Sequence, residues 1–172
     1  APVRGMILTP RDFQILRAVH RHRLLRSTHL IALADGSRQT TLRRLQLLFH
    51  HGYLDRPPMQ LDWYAHGSEP LVYGLGGRGA QALATEDELK PGALRSKTQN
   101  RDLSRLFLRH TLTVAEVMVA FEVACRDRDG VTLIQPEEVL AGAPKETRRL
   151  RLPFRWQVEI REGEKLHRLG VE

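Results

Sequence analysis

Residues 37–54 read SRQTTLRRLQLLFHHGYL, and the fold turns on whether this stretch is a helix with one face kept for something outside the protein. Ser37 is a favoured N-cap type, Leu42, Leu45 and Leu48 or Phe49 recur every three to four residues, and Gly52 stands where a helix C-terminus favours glycine. The spacing predicts a helix ending at Gly52. Its other face, with Arg38, Gln39, Thr41, Arg43, Arg44, Gln46 and His50, has no carboxylate from Ser37 to Leu54. A helix that only faces water gains from mixing acids with bases, so an acid-free face predicts a polyanion on that side.

Upstream, Thr9-Pro10-Arg11-Asp12 has the cap, the first-turn proline and the third-position acid of a helix start. Phe13, Ile15, Leu16 and Val19 extend a stripe to about His20. A short helix is expected from Ser27 or Thr28 through Leu30, Ile31 and Leu33 to the turn Asp35-Gly36. Downstream, Tyr53-Leu54 begins a strand, Pro57-Pro58 breaks it, and Leu71-Val72-Tyr73 returns as its partner before a helix from Gly79 to Leu83 and beyond. Three helices, the third basic, followed by a hairpin with a long tip at 55–69 is the order of a winged helix-turn-helix.

The returning strand runs into Gly74-x-Gly76-x-x-Gly79, the spacing with which dinucleotide-binding folds approach a pyrophosphate. That signature needs a parallel βαβ unit, and here the strand follows a hairpin partner instead. Gly76 is therefore read as the cap region of the next helix and Gly74 as relief in the strand, with no cofactor expected.

Residues 87–99, DELKPGALRSKTQ, are polar with a Pro-Gly pair and read as a linker. An amphipathic helix is expected from Asp102 to about Arg126, with Leu103, Leu106, Phe107, His110, Val114, Val117, Phe121 and Ala124 on one stripe. His110 is then a hydrogen-bonded core histidine. At about 35 Å the helix outreaches a small winged domain, so it is expected to pack on the C-terminal portion or on a second copy of the chain. Val131–Ile134 reads as a short strand, the alternation of Leu150, Leu152, Phe154, Trp156, Val158 and Ile160 as a longer one, and Leu166–Val171 as a last strand after the turn at 162–165. The fold class is α+β: a winged helix-turn-helix domain over 1–86, the linker 87–99, and over 100–172 a long helix with a small, mainly antiparallel β-sheet.

The net charge of +7 is concentrated at one end. Residues 1–66 carry 10 Lys+Arg against 4 Asp+Glu, while 67–99 balance and 100–172 carry 13 against 12. A basic first third points to a polyanion-binding module. The single cysteine, Cys125, excludes an internal disulfide and fits a reducing, cytoplasmic setting, as a buried inert thiol. No run of about 18 apolar residues is present, so no membrane is expected. Enzyme signals are thin: no G-x-S-x-G or P-loop occurs, and His20-x-His22 and His50-His51 do not place paired metal ligands on one helix face. The acid pairs Glu137-Glu138 and Glu162/Glu164 read as solvated turn and helix-end residues. No metal, cofactor or catalytic residue is expected in this chain.

For duplex DNA, the third helix would enter the major groove with its N-terminal part against base edges. Gln39 suits adenine and Arg38 or Arg43 guanine; Ser37, Thr40 and Thr41 suit phosphates or bases, and Arg44 and Gln46 extend the surface. Arg56, Gln60 and His66 in the wing would lie near the backbone or minor groove, with Trp63 and Tyr64 at the tip or folded on the core.

The joint spacing of Leu8-Thr9-x-Arg11-Asp12-x-x-Ile15-Leu16, Arg23-x-Leu25 before Leu30, Arg38 with Arg43-Arg44-Leu45-x-x-Leu48, Gly52-Tyr53-Leu54-x-Arg56 and Tyr73-x-Leu75-x-x-x-Gly79 resembles the replication-relaxation family. The likeness is close over about residues 8–85 and looser beyond. It implies a winged-helix DNA-binding protein of plasmids and other mobile elements, acting in replication, DNA relaxation or mobilisation, or in transcriptional control. Double-stranded DNA, a second copy of the chain and replication or mobilisation proteins are the expected partners. Gly76 departs from the Ser or Thr usual at that cap. Family members also tend to continue past the last strand into a segment reminiscent of a nuclease-like sheet, so such a site is absent here or lies beyond Glu172. Two other readings differ in class: an accessory or truncated nuclease-like protein, and a winged helix that binds protein.

Overall fold

The computed structural model describes residues 6–34, 36–60, 69–88, 103–134, 138, 141–142 and 156–171. The described residues are mixed helix and sheet, with two three-stranded antiparallel sheets among them. It divides into two compact units, 1–115 and 116–172.

The first unit holds α1 (Pro10–His22), β1 (Leu24–Arg26), α2 (Ser27–Leu33), α3 (Arg38–His50), β2 (Leu54–Asp55), β3 (Val72–Leu75), α4 (Gly77–Glu86) and the N-terminal half of α5 (Arg105–Arg126). α1 starts where its first turn provides the means: the Asp12 carboxylate accepts from the Thr9 backbone N–H at 2.6 Å and from the Thr9 hydroxyl at 2.8 Å. It continues to His22, two residues beyond the expected end near His20. Arg23, at φ +67, then turns the chain into β1. β1 itself is a strand that the sequence pattern does not show, since three residues between two helices are too few to display alternation.

The sheet order is β1-β3-β2, with Leu25 opposite Tyr73 and Leu54 opposite Leu75. Side chains alternate between its faces. Leu24 and Val72 share one face and form a cluster with Leu103, Leu108 and Leu112, flanked by Met59 and Phe107, so the start of α5 covers that face. Tyr73 lies on the other, where Arg56 stacks over both its ring (5.1 Å) and that of Phe49 in α3 (4.1 Å). Ile15, Leu16, Val19, Leu30, Leu45, Leu48 and Leu83 supply the buried apolar faces of α1 to α4.

Two expected stripes shift. On α3, Leu42 is exposed and Thr41 is buried with Leu45 and Leu48, because at 100° per residue Thr41, Leu45 and Leu48 fall within one narrow arc and Leu42 lies at its edge. α5 starts at Arg105, so Leu103 is buried just ahead of it; on the helix Val114 is buried and Phe107 and Phe121 half-buried, but Leu106, His110, Val117 and Ala124 are exposed. His110 is thus a surface residue, not a core one. Apolar side chains surround most of this helix, and Leu108, Leu112, Ala115 and Met118 take the buried positions instead.

The second unit contains the rest of α5 and the sheet β4 (Val131–Ile134), β5 (Trp156–Glu162) and β6 (Lys165–Val171), in the order β4-β5-β6. β5 and β6 pair from Trp156–Val171 to Glu162–Lys165, leaving a two-residue turn with Gly163 first at φ +58, the conformation that a II′ hairpin requires of glycine there. Residues 150–155 of the expected long strand and 89–99 of the expected linker lie outside the described residues. Cys125 is buried, and burial pushes its thiol above the ordinary value despite nearby Arg128. Among the described residues no helix is long and apolar enough to cross a membrane.

Candidate nucleic-acid interface

α3 is positioned by its ends and by one face. The Ser37 side chain accepts from the Thr40 N–H at 3.2 Å and lies 2.8 Å from the Thr40 hydroxyl, so both hydroxyls face solvent at the helix start. Gly52, at φ +76, ends the helix in the left-handed region that glycine adopts without strain. With Thr41, Leu45 and Leu48 inward, the opposite direction holds Gln39, Arg43, Gln46 and His50, at intervals of four, three and four residues. All four are exposed, as is Arg38 at the N-terminal end. They form one continuous polar and cationic stripe with no carboxylate on the helix.

Thr41, Arg44, Arg56 and Gln60, also expected to contact a polyanion, are engaged inside the protein. Thr41 is buried; its hydroxyl accepts from Arg11 Nη2 at 2.7 Å and lies 3.1 Å from the Ser37 carbonyl. Arg44 turns toward α1, donating from Nε and Nη2 to the two oxygens of Asp12 at 2.6 and 2.5 Å and from Nη2 to the Ile7 carbonyl at 2.9 Å. Asp12 is fully buried. Burial pushes its carboxyl upward, but the hydrogen bonds from Arg44 and Thr9 outweigh that and hold it below the ordinary value. The acid missing from α3 is therefore supplied to Arg44 by α1, 32 residues earlier, and sequence spacing within one helix carries no sign of it.

Arg56 stacks on Phe49 and Tyr73 and donates to the Tyr73 hydroxyl at 3.0 Å. Gln60, 3% exposed, works as a substitute strand: β2 pairs with β3 only to Asp55–Gly74, and beyond that the Gln60 carboxamide accepts from the Val72 N–H at 2.8 Å and donates to its carbonyl at 3.1 Å. Gln60→Ala is expected to leave both backbone groups unpaired in a buried place and to lower stability by about 2 kcal/mol, read as a shift of the urea midpoint. An unaltered midpoint would show that the clasp holds nothing. His66, Trp63 and Tyr64 lie outside the described residues.

The glycine motif has a packing cause. β3 is antiparallel to both neighbours, so the motif's surroundings are not the parallel crossover that a dinucleotide site uses. Instead α4 starts against the backbone that ends α3. The Gly76 and Arg78 N–H groups donate to the Tyr53 and Gly52 carbonyls at 2.9 and 3.2 Å. A Cβ on Gly76 would lie 2.3 Å from the Gly52 oxygen, and one on Gly79 would lie 2.0 Å from the Tyr53 oxygen. Gly76 caps α4 without a side chain because a serine or threonine would not fit there. Among the described residues no group of three or more His, Cys, Asp or Glu is placed to hold a metal ion.

A small antiparallel sheet covered by helices, with α3 presenting a polar, acid-free stripe to solvent, makes the first unit an α+β arrangement. The chain belongs to the replication-relaxation family, whose sequence model it matches over residues 16–169. Membership associates it with replication or relaxation in plasmids and other mobile elements. No curated protein and no solved structure matches it.

Proposed function

We propose that the first unit works as a winged helix-turn-helix and that the chain binds duplex DNA of a plasmid or other mobile element, acting in its replication, relaxation or mobilisation or in their transcriptional control. The order α1-β1-α2-α3-β2-β3, with β3 central, supports a winged reading. The observation that carries the DNA reading is the α3 stripe of Gln39, Arg43, Gln46 and His50 with Arg38. On this reading α3 is the recognition helix, Gln39 and Arg38 meet base edges, and Arg43 meets a base or phosphate. Ser37 and Thr40 donate to the backbone from the helix N-terminus. As a homodimer the protein would present α3 twice, to the two halves of a pseudo-palindromic site.

The test is affinity for random duplex and for replicon DNA across a salt series. A steep fall of log affinity with log salt, together with tighter binding to replicon DNA, is expected. Arg43→Ala is expected to weaken binding to both and, if its contact is to phosphate, to reduce the salt slope by about one. Gln39→Ala is expected to relax discrimination by about 1–3 kcal/mol at a single base pair. Weak binding with a flat salt response would overturn the reading and turn the stripe toward a protein partner.

A further inference from the structure

We infer that the outer face of the first turns of α5, with Leu106 at its centre and Arg105, Arg109 and His110 around it, is a docking surface for an acidic amphipathic helix of a partner protein. The inference does not rest on the DNA reading of α3. Leu106, Arg109, His110 and Thr113 recur at i, i+3, i+4 and i+7 and so share one stripe, opposite the buried Leu108 and Leu112. All four are exposed, and Leu106 is 80% exposed. A single exposed leucine is ordinary. Its frame is not, because no carboxylate occurs between Asp102 and Glu116. Arg17 and Arg44 of the same unit pair bidentately with Asp87 and Asp12. Among the described residues Arg105 and Arg109 have no such partner.

The composition of the patch selects its occupant. Guanidinium groups match carboxylates in two-point contacts, and arginine with an apolar anchor is the pairing enriched at protein interfaces. A duplex backbone would satisfy the arginines but offers no apolar surface to Leu106. The sheet also lies between the two helices, with Val72 toward α5 and Tyr73 toward α3, so DNA seated on α3 would leave this stripe uncovered. A second copy fits poorly: a two-fold contact would bring together two copies of the same arginine-bearing, carboxylate-free stripe in a chain of net charge +7.

The probe is a fluorescein-labelled helical peptide rich in glutamate with leucines on one stripe, compared by anisotropy with a peptide of the same composition whose leucines are dispersed. The full chain is expected to bind the striped peptide about tenfold more tightly than the dispersed one. Leu106→Ser and Arg109→Glu are each expected to weaken that binding by about tenfold while leaving the melting temperature and duplex affinity unchanged. Equal binding of the two peptides, or indifference to Leu106→Ser, would overturn the proposal. So would a loss of duplex affinity in Leu106→Ser, which would assign the face to nucleic acid. Dissociation of a dimer by Leu106→Ser in sedimentation velocity would assign it to a second copy.

Discussion

An Arg44→Ala protein is expected to lose about 3 kcal/mol of stability at neutral pH, whereas Arg43→Ala, one residue earlier on the same helix, should stay within about 0.5 kcal/mol of the parent. Arg43 is exposed, but Arg44 is 25% exposed and closes over a carboxylate with no other access to solvent. Removing the guanidinium strands a buried charge and also frees the contact with Ile7. The pH dependence separates this cause from lost packing. The folded Asp12 carboxyl is held below its ordinary value, so the pair's stabilisation is complete above the unfolded carboxyl value near about 3.9 and disappears as pH falls through the lower folded value. Without Arg44, burial favours the protonated acid, and the variant's deficit should narrow as the pH enters the carboxyl range. Urea titrations at several pH values measure this, and a deficit of constant size from pH 7 down to about 3 would refute the ion-pair account. For DNA-binding work it follows that a double substitution of Arg43 and Arg44 mixes a surface effect with a folding one.

Gly79→Ala is expected to cost about 3 kcal/mol or more, and Gly77→Ala to be neutral or slightly stabilising. At Gly79 the added methyl would sit 2.0 Å from the Tyr53 carbonyl oxygen, whereas at Gly77 nothing lies within 4 Å. The obstacle at Gly79 is backbone, which is held on one side by the end of α3 and on the other by β2, so it cannot swing away as a side chain would. Gly77 is the first residue of α4, where alanine has a lower unfolded-state entropy to lose and can gain about 0.4–1 kcal/mol. Thermal or urea unfolding of the two variants side by side measures the contrast. A Gly79→Ala protein as stable as the parent would mean that α4 does not start as close to Gly52 and Tyr53 as described.

What could be read in the sequence was local. Thr9 with Asp12, Ser37 with Thr40, Gly52 and the Gly163 turn each act within a few residues, and each has the structure its spacing implies. Leu45 and Leu48 similarly mark the inner side of α3, and Gly76 stands at the cap of α4. What could not be read depends on partners distant in the chain. Thr41 and Arg44 belong to the polar set of α3 by residue type, yet Arg11 and Asp12 draw them inward from 30 and 32 positions away. Gln60 looks like an exposed loop amide until Val72 is placed beside it. On α5 there are more apolar side chains than one face can bury, and only the position of Leu24 and Val72 selects Leu108 and Leu112 over Leu106. The candidate site was thus legible at Gln39, Arg43 and Gln46, whose exposure follows from helix angle alone. The internal contacts of Thr41, Arg44 and Arg56 were not legible.

The Gln60 clasp also bears on how the protein keeps to itself. Where β2 ends after two residues, the edge of β3 would offer Val72's N–H and C=O to any extended chain that came by, which is how sheets recruit foreign strands into aggregates. A glutamine carboxamide occupies that place and, being a side chain, lacks the run of backbone N–H and C=O groups along which a visiting strand would continue. The residue that finishes the sheet therefore also seals it.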